Sequence, residues 1–482
     1  MLDFRPVLFV VGLLLVALSA AMLLPALIEL FDDSPEWRAF IFSAAATGFF
    51  GGALVLATVS ERAKLGLRQA FLMTSLCWLC AALFGALPFV FLSIPLSFTD
   101  AFFEAMSGIT TTGSTVMIGL DHAPRGILLW RALLQWFGGV GIVVTALAVL
   151  PMLQVGGMQL FRMENSDRSD KAFPRAAQLA AWIAAVYLAL TVAWSLMLWL
   201  AGMDVFDAVA HAMTTIATGG FSTSDKSVGA YPDPTIHWII TVGMIAGSLP
   251  FALYMQAARG YTRPLLHDTQ VRWFLGTLGV VIAGLSIGQM VFTGEDFGTA
   301  LHLSAFNATS IMTGTGYATS DYDHWGSFAP AMFFVIMFIG GCAGSTTCGI
   351  KIFRFQILFA AAIVQLKQLV QPRGVFIAHY NHQPISANVV ASVMAFSLVY
   401  AAGFATLTIA LSFMGLDFIT STSGAATAIS NVGPGLGDII GPAGTFVALP
   451  AAAKWALAIG MLFGRLEFFT ILVLLLPSFW RG

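Results

Sequence analysis

Charge is what this sequence has least of. Asp, Glu, Lys and Arg supply 10% of its 482 residues, where a soluble domain carries about 25%. Cysteine is scarce as well. Cys77, Cys80, Cys342 and Cys348 are the only four, and nothing in them suggests a disulfide framework. Cys77 and Cys80 form a C-x-x-C spacing inside the apolar run AFLMTSLCWLCAALFG. That spacing suits a redox or metal pair, but no histidine or acid stands near it. Two small apolar helix residues are the simpler account. Also missing are a nucleophile triad, a phosphate loop and a metal-ligand cluster, so an enzyme is not expected. Long polar stretches are absent, so nucleotide sensing would need another chain, and nucleic acid is not an expected partner.

What the chain does have is oil. Hydrophobic residues make up 58% of it, and about 20 consecutive apolar residues suffice to cross a bilayer. Runs of that kind lie near 7–30, 38–59, 70–94, 126–150, 178–201, 236–257, 273–293, 329–366, 389–413 and 450–476. The first follows Arg5 and is longer than the apolar core of a signal peptide, with no cleavage site after it, so it reads as a retained helix. Between the spans sit semi-polar segments at 100–112, 206–218, 298–313 and 417–430. They are too short to cross as helices and read as re-entrant or buried. The sequence therefore predicts an all-α integral membrane protein lying in a lipid bilayer.

The basic residues give it a direction. Connections on the side of Arg5 hold Arg62, Lys64, Arg68, Arg162, Arg168, Lys171, Arg175, Arg259, Arg263, Arg272, Lys351, Arg354, Lys367, Arg373 and Arg481. The opposite side and the spans hold only Arg38, Arg125, Arg131, Lys226, Lys454 and Arg465. The positive-inside rule places the first group, and both termini, in the cytoplasm. All four semi-polar segments then open on the outer face.

From residue 70 onward the order span, short segment, polar turn, span recurs four times, with a period of about 100 residues. The expected units are a leading two-helix segment 1–69, then repeats 70–150, 151–257, 258–366 and 367–482. Aligned on their turns, TTGST at 111–115, TGGFS at 218–222, GTGYA at 314–318 and GPGLG at 433–437 share one glycine column: Gly113, Gly220, Gly316 and Gly435. Non-helical backbone at membrane depth survives only when buried or beside water, and glycine takes φ > 0 without steric cost. Four such turns around an axis would present rings of carbonyl oxygens able to replace a cation's hydration shell. One turn alone would pass as a helix C-cap. Four in register, on one face, describe a pore.

At these motifs the chain resembles the Trk/Ktr/HKT superfamily of potassium transporters. The resemblance rests on TTTGST, TIATGGFST, TGTGYAT, SNVGPGLG and GGCAGSTTCGIK, and covers the whole chain, including the two leading helices. It implies two leading helices followed by four membrane-pore-membrane repeats around a pseudo-fourfold pore. K⁺ is the implied permeant ion, with no organic cofactor on this chain. The implied filter comprises Thr111, Thr112, Gly113, Thr218, Gly219, Gly220, Gly314, Thr315, Gly316, Val432, Gly433 and Gly435. Only the fourth repeat adds a further glycine, Gly437, two positions on, as ordinary potassium channels have. The resemblance further implies a homodimer in a bacterial inner membrane. Its partner would be a cytosolic ring of nucleotide-binding TrkA-type subunits, docked on the basic loops 151–177 and 351–388.

Two features read as gates. Gly340, Gly341, Gly344, Ser345, Thr346, Thr347 and Gly349 break the second span of repeat three, with Lys351 at the cytoplasmic end. A kinked, closely packed helix would use the same glycines. The family reading is an intramembrane loop that blocks the pore, with Cys348–Gly349 where a glycine pair is expected. Arg465 sits mid-span, at a cost of about 2.5–3.5 kcal/mol on insertion scales. It needs either a buried ion-pair partner or a wet pore, and Glu467, two residues on, points to a different helix face. Glu104 and His211 share a column in the first two short helices, and His302 lies in the third; they read either as hydrogen-bonded supports behind the filter or, more simply, as structural residues only. A different class, an ion-coupled potassium symporter with alternating access, usually shows two repeats rather than four.

Overall fold

The computed structural model describes residues 3–59, 66–146, 157, 172–381 and 383–481. Arg62, Lys64, Arg162, Arg168, Lys171 and most of the loop 151–177 lie outside the described residues.

Among the described residues, eight helices are long and apolar enough to cross a membrane, and two bent helix pairs bring the number to ten. Arg5–Phe31 and Trp37–Thr58 form the leading pair. They approach closely through small residues, Gly12 against Gly51 and Ser19 Oγ donating to the Ala44 carbonyl at 2.7 Å. Small residues let helices meet where lipid supplies no hydrophobic drive.

The four semi-polar segments are the short helices Phe98–Ile109, Val205–Ile216, Phe297–Met312 and Phe418–Ser430. Each starts on an N-cap whose side-chain oxygen accepts an orphan backbone N–H. Ser97 takes that of Asp100 (3.1 Å), Asp204 that of Phe206 (3.0 Å), Asp296 that of Gly298 (2.8 Å) and Asp417 that of Thr420 (3.1 Å). Their C-terminal halves are buried at the centre of the molecule. The helices around them divide by exposure. Arg125–Val144 is 67% buried, whereas Gln178–Leu200 is 22% buried and presents most of its surface outward. Inner helices come close enough to touch the ends of the short helices at glycine. A Cβ on Gly138 or Gly464 would strike the carbonyl of Ile109 or Ile429, and one on Gly247 would come within 2.8 Å of that of Ile216.

The second spans of repeats two and four, the apolar runs 236–257 and 450–476, are broken. Pro234–Ser248 and Phe251–Ala258 meet at 97°, and Ala451–Arg465 and Phe469–Leu475 at 110°. Pro250 explains the first break, because it has no N–H to continue the helix. The freed groups bond the 340–351 loop: the Ser248 carbonyl accepts from Cys342 N (3.1 Å) and Phe251 N donates to the Gly344 carbonyl (2.9 Å). The second break lacks glycine and proline. It is made by Glu467 and Phe468 at φ +56° and +51°, held by tertiary contacts. Glu467 pairs with the buried Arg354, and Phe468 packs with Phe396, Tyr400 and Ile429.

Candidate ion pathway

Each short helix ends the same way. Thr112, Gly219, Thr315 and Val432 donate their backbone N–H to the carbonyl five residues earlier, at 2.8, 2.8, 2.8 and 3.1 Å. Those carbonyls belong to Ser107, Thr214, Ser310 and Thr427, a hydroxyl residue each time. The residue before each donor is left-handed: Thr111 (φ +52°), Thr218 (+49°), Gly314 (+71°) and Asn431 (+53°). So is the residue after it: Gly113 (+87°), Gly220 (+82°), Gly316 (+84°) and Gly433 (+109°). The fourth turn is therefore Asn431-Val432-Gly433. Gly435 does not share the column. It has no positive φ, and a Cβ there would meet the side chains of Ile440 and Ser423 rather than another turn. The run GPGLG holds three glycines, and backbone conformation puts the first of them, Gly433, in the column. Gly435, rather than Gly437, is the glycine two positions beyond the column.

The four turns close on themselves in chain order. A Cβ on Gly113 would collide with the Gly219 carbonyl, one on Gly220 with that of Thr315, and one on Gly316 with that of Val432. One on Gly433 would come within 2.9 Å of the Thr112 carbonyl, completing the circle. Here glycine is required twice over, by conformation and by space. Ser114 Oγ also crosses the closing seam to the Gly433 carbonyl at 2.7 Å. All four glycines line one open cavity, in which Asp225 is the sole carboxylate among the described residues.

Behind the ring each turn is braced differently. Glu104 accepts from Val116 N (2.9 Å) and Thr115 Oγ1 (2.9 Å) and pairs with Arg131 at 2.8 Å, both side chains being buried. Arg131 Nη1 reaches across to the Ser222 carbonyl at 2.8 Å. In the second turn, His211 bonds Ser222 Oγ at 2.9 Å, and Gln135 holds the Gly219 carbonyl and Phe221 N. In the third, Asn307 occupies the column of Glu104 and His211 and bonds Thr319 through both its amide atoms (2.8 and 3.2 Å). His302 lies elsewhere, stacked on His237 with ring centroids 5.0 Å apart. In the fourth, Ser423 Oγ accepts from Leu436 N at 2.9 Å. Sequence reasoning missed Gln135, Arg131 and Asn307 as braces; the first two are single polar residues with no pattern to mark them, whereas Asn307 could have been found from the column it shares with Glu104 and His211.

Below the ring, residues 337–351 form an irregular buried loop between Phe328–Ile336 and Ile352–Val370. Gly344 and Gly349 are left-handed (φ +73° and +70°), while Gly340 packs against the Cys348 carbonyl and Gly341 against Thr347. Thr346 is the loop's tip toward the ring: its Oγ1 donates to the Gly247 carbonyl at 2.9 Å and lies 3.1 Å from Thr218 Oγ1. Ser345 and Thr347 bond each other at 2.8 Å, and Lys351 Nζ turns back onto the Thr347 carbonyl. Arg465 meets this loop directly. It donates to the Thr346 carbonyl (3.2 Å), to Cys348 Sγ, and to the Gly138 carbonyl (2.9 Å) on the first inner helix. Among the described residues no carboxylate pairs with it, and Glu467 is held by Arg354. Of the two sequence readings for Arg465, the ion-pair partner is not found among the described residues. Cys77 and Cys80 are free thiols, and no group of three or more potential metal ligands occurs among the described residues.

A multi-pass helical membrane protein with four re-entrant turns closed into one ring, and a polar loop seated beneath them, belongs to a recognisable class of ion-transport proteins. The chain is a member of the TrkH family of cation transport proteins, whose profile matches residues 37–481. It is 44% identical to the Trk system potassium uptake protein TrkI of Halomonas elongata, over 99% of this chain and 97% of that protein. It is 38% identical to the Trk system potassium uptake protein TrkH of Escherichia coli K12, over the full length of both. The crystal structure of the potassium transporter TrkH from Vibrio parahaemolyticus superposes with a TM-score of 0.92 at 35% identity, covering 100% of each chain. The family is one of transporters, not enzymes.

Proposed function

We propose that this protein takes up K⁺ through a channel-like pore whose selectivity filter is the four-turn ring. Thr111, Thr112 and Gly113, Thr218, Gly219 and Gly220, Gly314, Thr315 and Gly316, and Asn431, Val432 and Gly433 form it. Gly435 stands outside. The observation that carries this reading is the cyclic close approach of each ring glycine to the next turn's carbonyl, which sets the four turns around one axis. Carbonyl oxygens there replace water around a dehydrating cation. The short helices aim their C-terminal ends, each with a partial negative charge, at the cavity below.

The gate in this reading is Gly340, Gly341, Gly344, Ser345, Thr346, Thr347, Gly349 and Lys351 together with Arg465. The loop fills the pathway, and the guanidinium both fastens it and repels K⁺. Four units, 70–150, 151–257, 258–366 and 367–482, follow the leading segment 1–69. The basic connections place both termini in the cytoplasm of a bacterial inner membrane. The names of the relatives support a Trk system, in which this chain is the membrane subunit. It acts there as a homodimer on a TrkA-type nucleotide-binding ring, and the segment 351–388 is the described part of the docking face.

Purified protein in a planar bilayer tests the proposal. Discrete unitary currents that reverse near the K⁺ equilibrium potential are expected. Transport without unitary events, stoichiometrically coupled to H⁺ or Na⁺, would replace the pore with an alternating-access symporter.

A further inference from the structure

Asn431 breaks the pattern of its own column. The three equivalent positions carry Thr111, Thr218 and Gly314, whose side chains reach no neighbouring turn of the ring. Asn431 is fully buried, left-handed, and spends its amide group on two distant partners. Nδ2 donates to Thr112 Oγ1 at 2.9 Å and to the Met461 carbonyl at 2.9 Å. Thr112 is the residue whose own carbonyl faces Gly433, so the first bond spans the seam where the fourth turn meets the first. Met461 lies one helical turn before Arg465 on the last inner helix. Asparagine is suited to both tasks. It tolerates the left-handed region better than other residues with a side chain, and its NH₂ group offers two donors.

The seam needs such a tie more than the other junctions do. There the close approach is the loosest of the four, 2.9 Å from a Cβ on Gly433 to the Thr112 carbonyl, where the other three positions would collide outright. Gln135 clamps the second turn through the Gly219 carbonyl and Phe221 N, and Asn307 with Ser310 holds the third. At the fourth-to-first seam, the side-chain bonds are those of Asn431 to Thr112 and of Ser114 to the Gly433 carbonyl.

We infer that Asn431 is a specificity-determining positioning residue: its amide fixes the width of the ring at the fourth-to-first seam and thereby the preference for K⁺ over Na⁺. The inference rests on the ring being the filter. A ring held to one width discriminates ions by size, whereas a ring free to contract at one junction lets the smaller, more strongly hydrated Na⁺ be coordinated.

The test measures the K⁺/Na⁺ permeability ratio, from reversal potentials in bilayers, for Asn431→Gly, Thr112→Val and the pair combined, with Gly316→Ser alongside. Asn431→Gly keeps the left-handed backbone and removes both bonds. Thr112→Val keeps the shape and removes the acceptor, together with the hydroxyl bond to Thr110. Each single change should lower the ratio about 2- to 10-fold, the span of one net hydrogen bond. The double variant should fall short of the summed losses, because both single changes break the shared Asn431–Thr112 bond, while each also breaks one of its own, Asn431 to Met461 and Thr112 to Thr110. Should Asn431→Gly fold poorly, Thr112→Val still carries the test. Parent ratios in Asn431→Gly and Thr112→Val, with a lowered ratio in Gly316→Ser, would overturn the inference and leave the filter standing. Additive losses would also overturn it. Parent ratios in all of them would overturn the filter assignment itself.

Discussion

Arg465→Ala should open the pore. The guanidinium holds the loop at two points, the Thr346 carbonyl at 3.2 Å and Cys348 Sγ, and anchors itself on the Gly138 carbonyl at 2.9 Å. A hydrogen bond from a charged donor contributes about 1.5–3 kcal/mol net. Losing one such bond to the loop would favour its displacement by about 10- to 100-fold, at 1.4 kcal/mol per decade. The charge itself adds to this, because its repulsion of K⁺ is several-fold stronger in a low-dielectric pore than in bulk water. Arg465→Lys keeps the charge but lacks the planar fork that reaches Thr346 and Gly138 together, so its flux should lie between parent and alanine. Since Glu467 pairs with Arg354, no acid among the described residues is stranded by the change, and the fold should survive it. Rb⁺ uptake into proteoliposomes, per correctly folded molecule and without any cytosolic partner, is the quantity to measure. A fall in both yield and flux for the alanine variant would refute the reasoning.

Deleting 344–349 should raise K⁺ flux without the cytosolic partner, because the loop's buried hydroxyls occupy the space beneath the ring; unchanged or lower flux in folded protein would point to a packing kink. Arg131→Met should lower stability by about 3–5 kcal/mol by leaving Glu104 buried and unpaired. Adding Glu104→Gln should recover part of the thermal midpoint in detergent, and a double variant no more stable than the single one would show that the pair is not the cause.

The repeat was legible in the sequence because it rests on a coarse signal. Four segments too short to span, each ending in hydroxyls and glycine, became four short helices of the expected extent, from Phe98–Ile109 to Phe418–Ser430. The loop at 340–351 was legible for a similar reason, since nothing so polar makes a lipid-facing helix. Register was harder. Glycine identity suggested Gly435, but the turn is defined by backbone conformation, and Asn431 takes the left-handed position that Thr111 and Thr218 take elsewhere. The break after Arg465 was invisible for want of glycine or proline, being made by the tertiary seats of Glu467 and Phe468. The break at Pro250 could have been read from the proline alone. The brace Gln135 gives no sequence signal, because a lone amide on a helix looks the same whether it holds a turn or nothing; Asn307 stands in the column of Glu104 and His211, and that register could have found it.

The claim that most needs testing is that Gly113, Gly220, Gly316 and Gly433, and not Gly435, form the selective ring. Replacing each of the five with serine, one at a time, and measuring the K⁺/Na⁺ permeability ratio from reversal potentials does so directly. The ring glycines have no room for a Cβ and sit at positive φ, so each of those four variants should lose selectivity. The nearest atoms to a Cβ on Gly435 are side chains of Ile440 and Ser423 rather than a ring carbonyl, so Gly435→Ser should lose less selectivity than any ring variant. Parent-like ratios in well-expressed ring variants, or a loss at Gly435 as large as at Gly433, would contradict the account.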